Sequence, residues 1–353
     1  MTLTLLYVGN LRDGGNGRDR AGVFKKAGFE VRGFDIRPYK DRGPRLVKSL
    51  GGRLQIGPNI RRMNADLMKL ADTEPFDVVF VDKGTWIYPE TLEQLKAAAR
   101  RRCAIHFTPD PQFQSNRSRH FFKGLVHYDL MVTTKSYEMA EYRAACPDTD
   151  LLFIEQGYGA RILVNAAAQP KAAFAADITF VGHQEPHYAT LLQAVAPITD
   201  DLAIRGPGWE SYAAAHAWAR DFVQGGAVYG DDYSHALGAA KIGLGFLSKT
   251  ASDLTTTRTF EIPAIGTFLL AERTQEHQAL FEEGREAVFF DGPEELRDKA
   301  QFYLANDTAR ETIAAAGHAR ALQSGYSTEE QFSKILSWLR AQGIVQGPEG
   351  PQT

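Results

Sequence analysis

Residues 249–272 read KTASDLTTTRTFEIPAIGTFLLAE. A lysine, an aspartate, a run of threonines and an arginine precede Glu261, and Pro263-Ala264-Ile265-Gly266 leads into an apolar run. The pattern predicts a loop, a short helix starting near Thr257 and a buried strand over 267–270. Proline lacks an N–H and costs a helix interior about 3 kcal/mol, so the helix closes at Gly266. A helix N-terminus presents unpaired N–H groups and a partial positive charge, which suits an anion such as a diphosphate. Arg258 adds a rigid fork for phosphate oxygens, and Thr257 and Thr259 add hydroxyls. Glu261, three residues on from Arg258, shares its helix face. A carboxylate there can accept from both hydroxyls of a ribose, as in dinucleotide-binding folds. The same residues also read as a surface ion pair worth about 0.3–0.5 kcal/mol beside ordinary caps. Spacing alone leaves both readings open.

The elements that must position this stretch come from the rest of a 353-residue chain, long enough for two domains with their own cores. Hydrophobic residues at 44% and charged residues at 24% are ordinary for globular proteins. A net charge of −3 gives no footing for nucleic acid as a partner. The two cysteines, Cys103 and Cys146, make neither a disulfide framework nor a metal cluster. The opening TLTLLYVG reads as a strand, not a leader, and no apolar run reaches the roughly 18–20 residues needed to span a bilayer. A cytoplasmic protein with no membrane span is expected.

Strand 3–8, the glycine loop 13–17, helix 18–27 and strand 30–34 open a doubly wound α/β sheet. The loop does not match GxGxxG, so Gly14 and Gly15 either allow a tight turn or contact a substrate. The βα rhythm resumes after a poorly patterned segment, 35–75. Strand 76–81 ends in Asp82-Lys83-Gly84, and strand 103–107 ends in Thr108-Pro109-Asp110-Pro111. Ligands of such sheets sit beyond the C-terminal strand ends, which makes Lys83 and Asp110 candidates; each also reads as a plain loop residue. The Ala- and Pro-containing stretch 166–176 reads as a linker between domains 1–165 and 177–325. Beyond it the same grammar restarts, with strand 178–181 ending in Gly182-His183 and strand 202–204 leading to Arg205-Gly206-Pro207-Gly208-Trp209. A last helix within 326–346 carries Phe332, Ile335, Leu336 and Leu339 at helical spacing and needs a surface to cover. The tail, 347–353, reads as disordered.

The stretch from Lys249 through EIPAIGTFLLAERTQEHQALFEEGREAVFFDGPEEL resembles the C-terminal signature of the CgeB-like glycosyltransferases, a GT-B-fold family related to the large retaining group 1. Thr108-Pro109-Asp110-Pro111, Asn116-Arg117-Ser118-Arg119, Tyr128-Asp129-Leu130, Thr133-Thr134-Lys135 and Gly206-Pro207-Gly208-Trp209 resemble it too. The resemblance covers nearly the whole chain and implies two Rossmann-like domains facing across a cleft, with the last helix crossing back to the first. It implies a nucleotide-diphosphate sugar, UDP-, dTDP- or GDP-linked, as donor substrate rather than any cofactor. The acceptor would be a glycan, small molecule or protein. Asp253 and Glu261 then occupy the two acidic positions of the Glu-x7-Glu motif, the first nearing the sugar and the second holding the ribose. Asp253 is one methylene shorter than the glutamate of relatives, and Ala251 and Thr255 stand where relatives tend to carry Asn and His. Lys249, Thr257 and Arg258 would hold the diphosphate, and the backbone near Val228 and Tyr229 the base. Gly182-His183 and Gly14-Gly15 would line the two sides of the cleft, and Gly206 and Trp209 would join the donor-binding side.

Charge building on the departing diphosphate would be met by Lys249 and Arg258. Asp110 is the best-placed base or acceptor-positioning group, with His106 and His183 behind it. Neither an Asp-x-Asp nor a His/Cys cluster is read as a metal site anywhere in the chain, so a metal-independent reaction is expected. A nucleotide-sugar epimerase on the same plan and a non-catalytic, coat-associated protein are the alternative readings.

Overall fold

The computed structural model describes residues 2–40, 55–114, 116–167 and 172–345. They fall into two compact units, Met1–Glu155 with Glu329–Thr353, and Gln156–Thr328.

The first unit is built on a parallel sheet of β1 (Thr4–Gly9), β2 (Glu30–Asp35), β3 (Val78–Asp82), β4 (Cys103–Thr108), β5 (Leu130–Thr133) and β6 (Asp150–Phe153). Their order is β2-β1-β3-β4-β5-β6. Every residue of β1, β3 and β4 is buried, because helices cover both faces and the strands read as largely apolar runs. Leu5, Tyr7, Phe80 and Ile105 pack on one face with Phe24 of the Asn16–Lys26 helix. Leu6, Val8, Val79 and Val81 pack on the other with Met63 and Leu67 of the Pro58–Thr73 helix. The last helix, Thr328–Ala341, completes this core: Phe332 lies 5.8, 6.0 and 5.3 Å from the rings of Phe24, Phe80 and Phe107. That is the surface its apolar spacing required.

The second unit carries β7 (Ala176–Val181), β8 (Leu202–Arg205), β9 (Ala240–Gly245), β10 (Phe268–Glu272) and β11 (Val288–Phe290) in the parallel order β11-β10-β9-β7-β8. Strand order reverses between β1 and β3 in the first unit and between β7 and β9 in the second. Open α/β sheets bind ligands at such switch points, beyond the C-terminal strand ends.

The chain passes between units at Glu155–Gln156 and again at Thr328–Glu329, not at 166–176. Hydrogen bonds explain the difference. Tyr158 N donates to Tyr326 O (3.0 Å) and Thr328 N to Tyr158 O (2.8 Å), while Glu155 N donates to Gln331 Oε1 (2.9 Å). Gly157 has φ 64°, and a Cβ there would sit 2.6 Å from Tyr326 O. Of the expected linker, Ala166 and Ala167 end the Ala160–Ala167 helix, in which Ile162 is buried, Ala172–Phe174 form a single helical turn, and Ala176 already opens β7. Residues 168–171 of the expected linker and the tail 347–353 lie outside the described residues. No helix among the described residues is long and apolar enough to cross a membrane.

Candidate functional site

The 249–272 stretch folds as loop, helix and strand at the β9 side of the second switch point. Thr256 is the N-cap of the Thr257–Ile265 helix, and Gly266 closes it in the left-handed region, at φ 94°. Pro263 is accommodated inside the last part of this nine-residue helix. The first-turn amides of Thr257 and Arg258 have no helical acceptors behind them, by the geometry of any helix start.

Two buried carboxylates fix the loop before the helix. Glu272, the last residue of β10, accepts from Leu247 N (2.6 Å), His187 Nε2 (2.9 Å) and Lys249 Nζ (2.7 Å). Glu185 accepts from Ser248 Oγ (2.6 Å) and Lys249 N (3.3 Å) and pairs with His183 Nε2 (2.7 Å). Lys249 is thus stapled at its backbone and its ammonium, while its side chain stays half exposed. Sequence reasoning missed both glutamates. The available signal was a carboxylate ending a buried apolar strand, Leu269-Leu270-Ala271-Glu272, at the ligand edge of a parallel sheet.

Glu261 is buried on the helix and accepts from Tyr233 Oη, on the Asp231–Gly238 helix. Burial, then the Glu261 charge, pushes the Tyr233 phenol well above its ordinary range, with Arg258 pulling the other way. Arg258 Nε is itself buried without a hydrogen-bond partner. Burial also raises the Tyr188 phenol, which feels Arg258 in one direction and Glu185, Asp253 and Glu272 in the other. Lys249, Asp253, Arg258 and Glu261 are therefore gathered around one edge of this sheet, and Thr257 is half-buried at the first helical position beside them.

Other expected contacts are spent on the fold. The Thr259 hydroxyl is buried, accepts from Thr256 N (3.0 Å) and meets His277 Nε2 at 2.8 Å. His277 Nδ1 donates to Glu272 O (2.7 Å), and burial pulls its pKa down to about 4, so Nε2 is an acceptor and Thr259 its donor. Thr259 is a cap and a tether, not a free ligand group. Trp209 is wholly buried and donates from Nε1 to Gly182 O (2.9 Å). A Cβ on Gly206, at φ 143°, would lie 1.9 Å from that same Gly182 O, so the Gly182–Gly206 approach is demanded by the turn itself. The His183 side chain is more than half exposed. Val228 packs partly against the apolar cluster beneath the Asp231–Gly238 helix, and Tyr229 is half exposed.

In the first unit, Gly14 (φ 70°) and Gly15 shape the turn into the Asn16–Lys26 helix, Gly15 as its N-cap. Lys83, left-handed at φ 72°, pairs with Asp110. Burial would raise the Asp110 carboxyl, but Lys83, with Lys135 and Arg20 behind it, holds it below the usual carboxylate range. It is a fixed anion more than a ready base. His106 is no candidate base: it is fully buried between Phe121 and Tyr128, its Nε2 meets Lys83 O at 3.0 Å, and burial pulls its pKa to about 4. One Asp-x-Asp does occur, Asp148-Thr149-Asp150, but it leads into the N-terminal end of β6, where Asp150 accepts from Trp338 Nε1 (2.6 Å). Among the described residues no three His, Cys, Asp or Glu side chains gather as a metal cage would require.

Residues 185–337 match a family model described as glycosyl transferase-like. The whole architecture is similar to solved structures of low sequence identity. Anabaena HepE, determined with UDP and glucose, superposes with a TM-score of 0.61 at 13% identity over 96% of this chain and all of that one. Sucrose-phosphate synthase from Thermosynechococcus elongatus gives 0.66 at 14% over 96% and 100%. A Listeria monocytogenes protein described as a UDP-N-acetylglucosamine 2-epimerase gives 0.55 at 12% over 97% of each. No curated protein sequence matches. Two Rossmann-like parallel-sheet units and these neighbours define the fold as GT-B.

Proposed function

We propose that this chain is a glycosyltransferase of the CgeB-like group, moving a hexosyl unit from a UDP-, dTDP- or GDP-linked donor to an acceptor held by the first unit. The observation that carries this is Lys249, stapled between Glu185 and Glu272 beside the Thr257–Ile265 helix start, within the residues matched by the glycosyl transferase-like family model. Anionic leaving-group charge would meet the Lys249 ammonium, the Arg258 guanidinium and first-turn amides, all fixed before the reaction begins. Glu261, oriented by Tyr233, would accept from the ribose hydroxyls. Asp253 would face the transferred sugar. Asp110, kept ionised by Lys83, would orient the acceptor hydroxyl. The fold-level likeness to HepE with UDP and glucose supports a nucleotide-sugar donor. We place the protein in the cytoplasm and the reaction outside metal catalysis.

The likeness to the epimerase from Listeria supports a second reading, in which the same donor site releases a sugar instead of transferring it. Thermal-shift titration with UDP, dTDP, GDP and ADP tests both, since a ligand that binds only the folded state raises Tm. No shift with any nucleotide at millimolar concentration sinks both. Glu261→Ala should remove the shift, and transfer or hydrolysis of the matching nucleotide sugar, measured with and without EDTA, separates the two readings. Loss of transfer in EDTA would overturn metal independence.

A further inference from the structure

We propose that Arg205 is a specificity residue that reads the carbonyl oxygen at position 4 of a uracil or thymine, or position 6 of a guanine, in the donor nucleotide, a role that rests on the glycosyltransferase reading. Arg205 ends β8 and is only 6% exposed, yet its Nη1 has no hydrogen-bond partner, and no carboxylate lies within ion-pair range of it among the described residues. Its guanidinium lies 4.9 Å from the ring centroid of Phe174, whose ring also stacks at 6.1 Å with His235. His235 Nδ1 and Thr179 Oγ1 are buried without partners as well. Thr179 and Arg205 belong to neighbouring strands, with Thr179↔Ala203 and Val181↔Arg205 in register, so both side chains share one face of the sheet. That face is covered by the Asp231–Gly238 helix, which carries His235 and Tyr233.

A buried charge with neither counter-ion nor full hydrogen bonding is a poor structural element, because desolvation is uncompensated. It makes sense where a ligand supplies the acceptor. Strand order says which part of the ligand that is. The phosphate-side groups follow β9, Glu261 and Tyr233 meet at the neighbouring helices, and β8 lies two strands beyond β9, about 10 Å at the spacing of strands in a sheet. Arg205 also leads into Gly206, whose N donates to Gly225 O (3.3 Å), so it adjoins the 223–230 loop at the base end. A guanidinium offers donors only. It suits the O4 of uracil or thymine and the O6 of guanine, and opposes the amino group that cytosine carries at position 4 and adenine at position 6.

The test is titration of the whole protein and of Arg205→Met with UDP, CDP, GDP, ADP and inorganic pyrophosphate, alongside the Tm of each ligand-free protein. The wild type should prefer UDP or GDP over CDP and ADP by about tenfold or more, as one base-reading arginine contributes elsewhere. Arg205→Met should bring these ratios near one, leave pyrophosphate affinity unchanged and keep or raise the ligand-free Tm. Unchanged ratios, equal loss of pyrophosphate affinity or a wild type blind to the base each overturn the role of Arg205 while leaving the transferase reading intact. Failure of every nucleotide to bind the wild type overturns both.

Discussion

Each unit sets an arginine over a phenylalanine ring at the ligand edge of its sheet, Arg205 buried and Arg20 nearly so. In the first, Arg20 lies 4.9 Å from the Phe107 centroid; in the second, Arg205 lies 4.9 Å from that of Phe174. Their surroundings differ in one respect. Arg20 donates from Nε and Nη2 to Asp82 Oδ2, at 3.1 and 2.7 Å, and Tyr7 Oη donates to the same oxygen at 2.7 Å. Arg205 has no such carboxylate. The first unit neutralises its buried cation internally and so has no electrostatic call for an anion at that point. The second leaves Arg205 and Arg258 Nε unsatisfied and sets a helix start beside them. On the transferase reading proposed above, that asymmetry suits an anionic donor in the second unit and an uncharged acceptor hydroxyl in the first.

The largest effect expected breaks the matched side. Asp82→Ala leaves the Arg20 guanidinium buried and unpaired, which should cost about 3–5 kcal/mol of stability in urea unfolding. Arg205→Met, by contrast, should cost nothing. If the two destabilise equally, the contrast between the arginines is wrong. Next comes the unmatched side: Lys249→Met should lower turnover of the nucleotide sugar by about 10²–10³, the usual loss for one preorganised charge-stabilising donor. Lys83→Met, in the half-exposed pair with Asp110, should lower it by less than that. Comparable kcat values for the two variants would remove Lys249 from leaving-group stabilisation.

Acid should act on both units alike. His106 in the first and His277 in the second are pulled to about 4 by burial, against an ordinary value near 6.5. The unfolded imidazole takes up a proton below about 6.5 while the folded one stays neutral until about 4. Their stabilising contribution is therefore complete above pH 6.5 and is lost as pH falls toward 4, amounting to about 2 kcal/mol each by pH 5. Unfolding measured between pH 7.5 and 5 should show Tm falling. A Tm that holds or rises over that window would mean one or both imidazoles are protonated in the fold.

The order of elements was legible in the sequence because punctuation and period agreed. Gly266 bounds the helix that follows Thr256, and largely apolar runs marked β1, β3 and β4 as strands of a doubly wound sheet. The roles of single side chains were less legible. Glu185 and Glu272 are far apart in the chain and meet Lys249 only because β10, β9 and β7 are neighbours in the sheet. Trp209 looks like a ligand platform in a glycine-rich loop until its Nε1 is seen to hold Gly182 O. The crossing between units was misplaced because composition marks flexible chain, whereas the actual crossings at Glu155 and Thr328 are held by backbone hydrogen bonds that composition does not encode. Arg205 was read only as the residue before Gly206, since burial without a partner is a property of three dimensions.

The smallest expected effect separates two neighbouring threonines that spacing could not tell apart. Thr259→Val removes the oxygen that accepts from Thr256 N and donates to His277 Nε2, leaving two buried groups unpaired. The loss should cost about 1–2 kcal/mol in all, since water can reach part of the opened site, so Tm should drop measurably. Affinity for UDP should stay within twofold, because no part of that hydroxyl faces outward. Thr257→Val alters a half-buried side chain at the helix start and should do the reverse, weakening UDP binding with Tm unchanged. The second unit would then hold its helix together with one threonine and its ligand with the next but one. Should Thr259→Val keep its Tm and lose UDP, the hydroxyl belongs to the ligand after all, and the His277 contact is incidental.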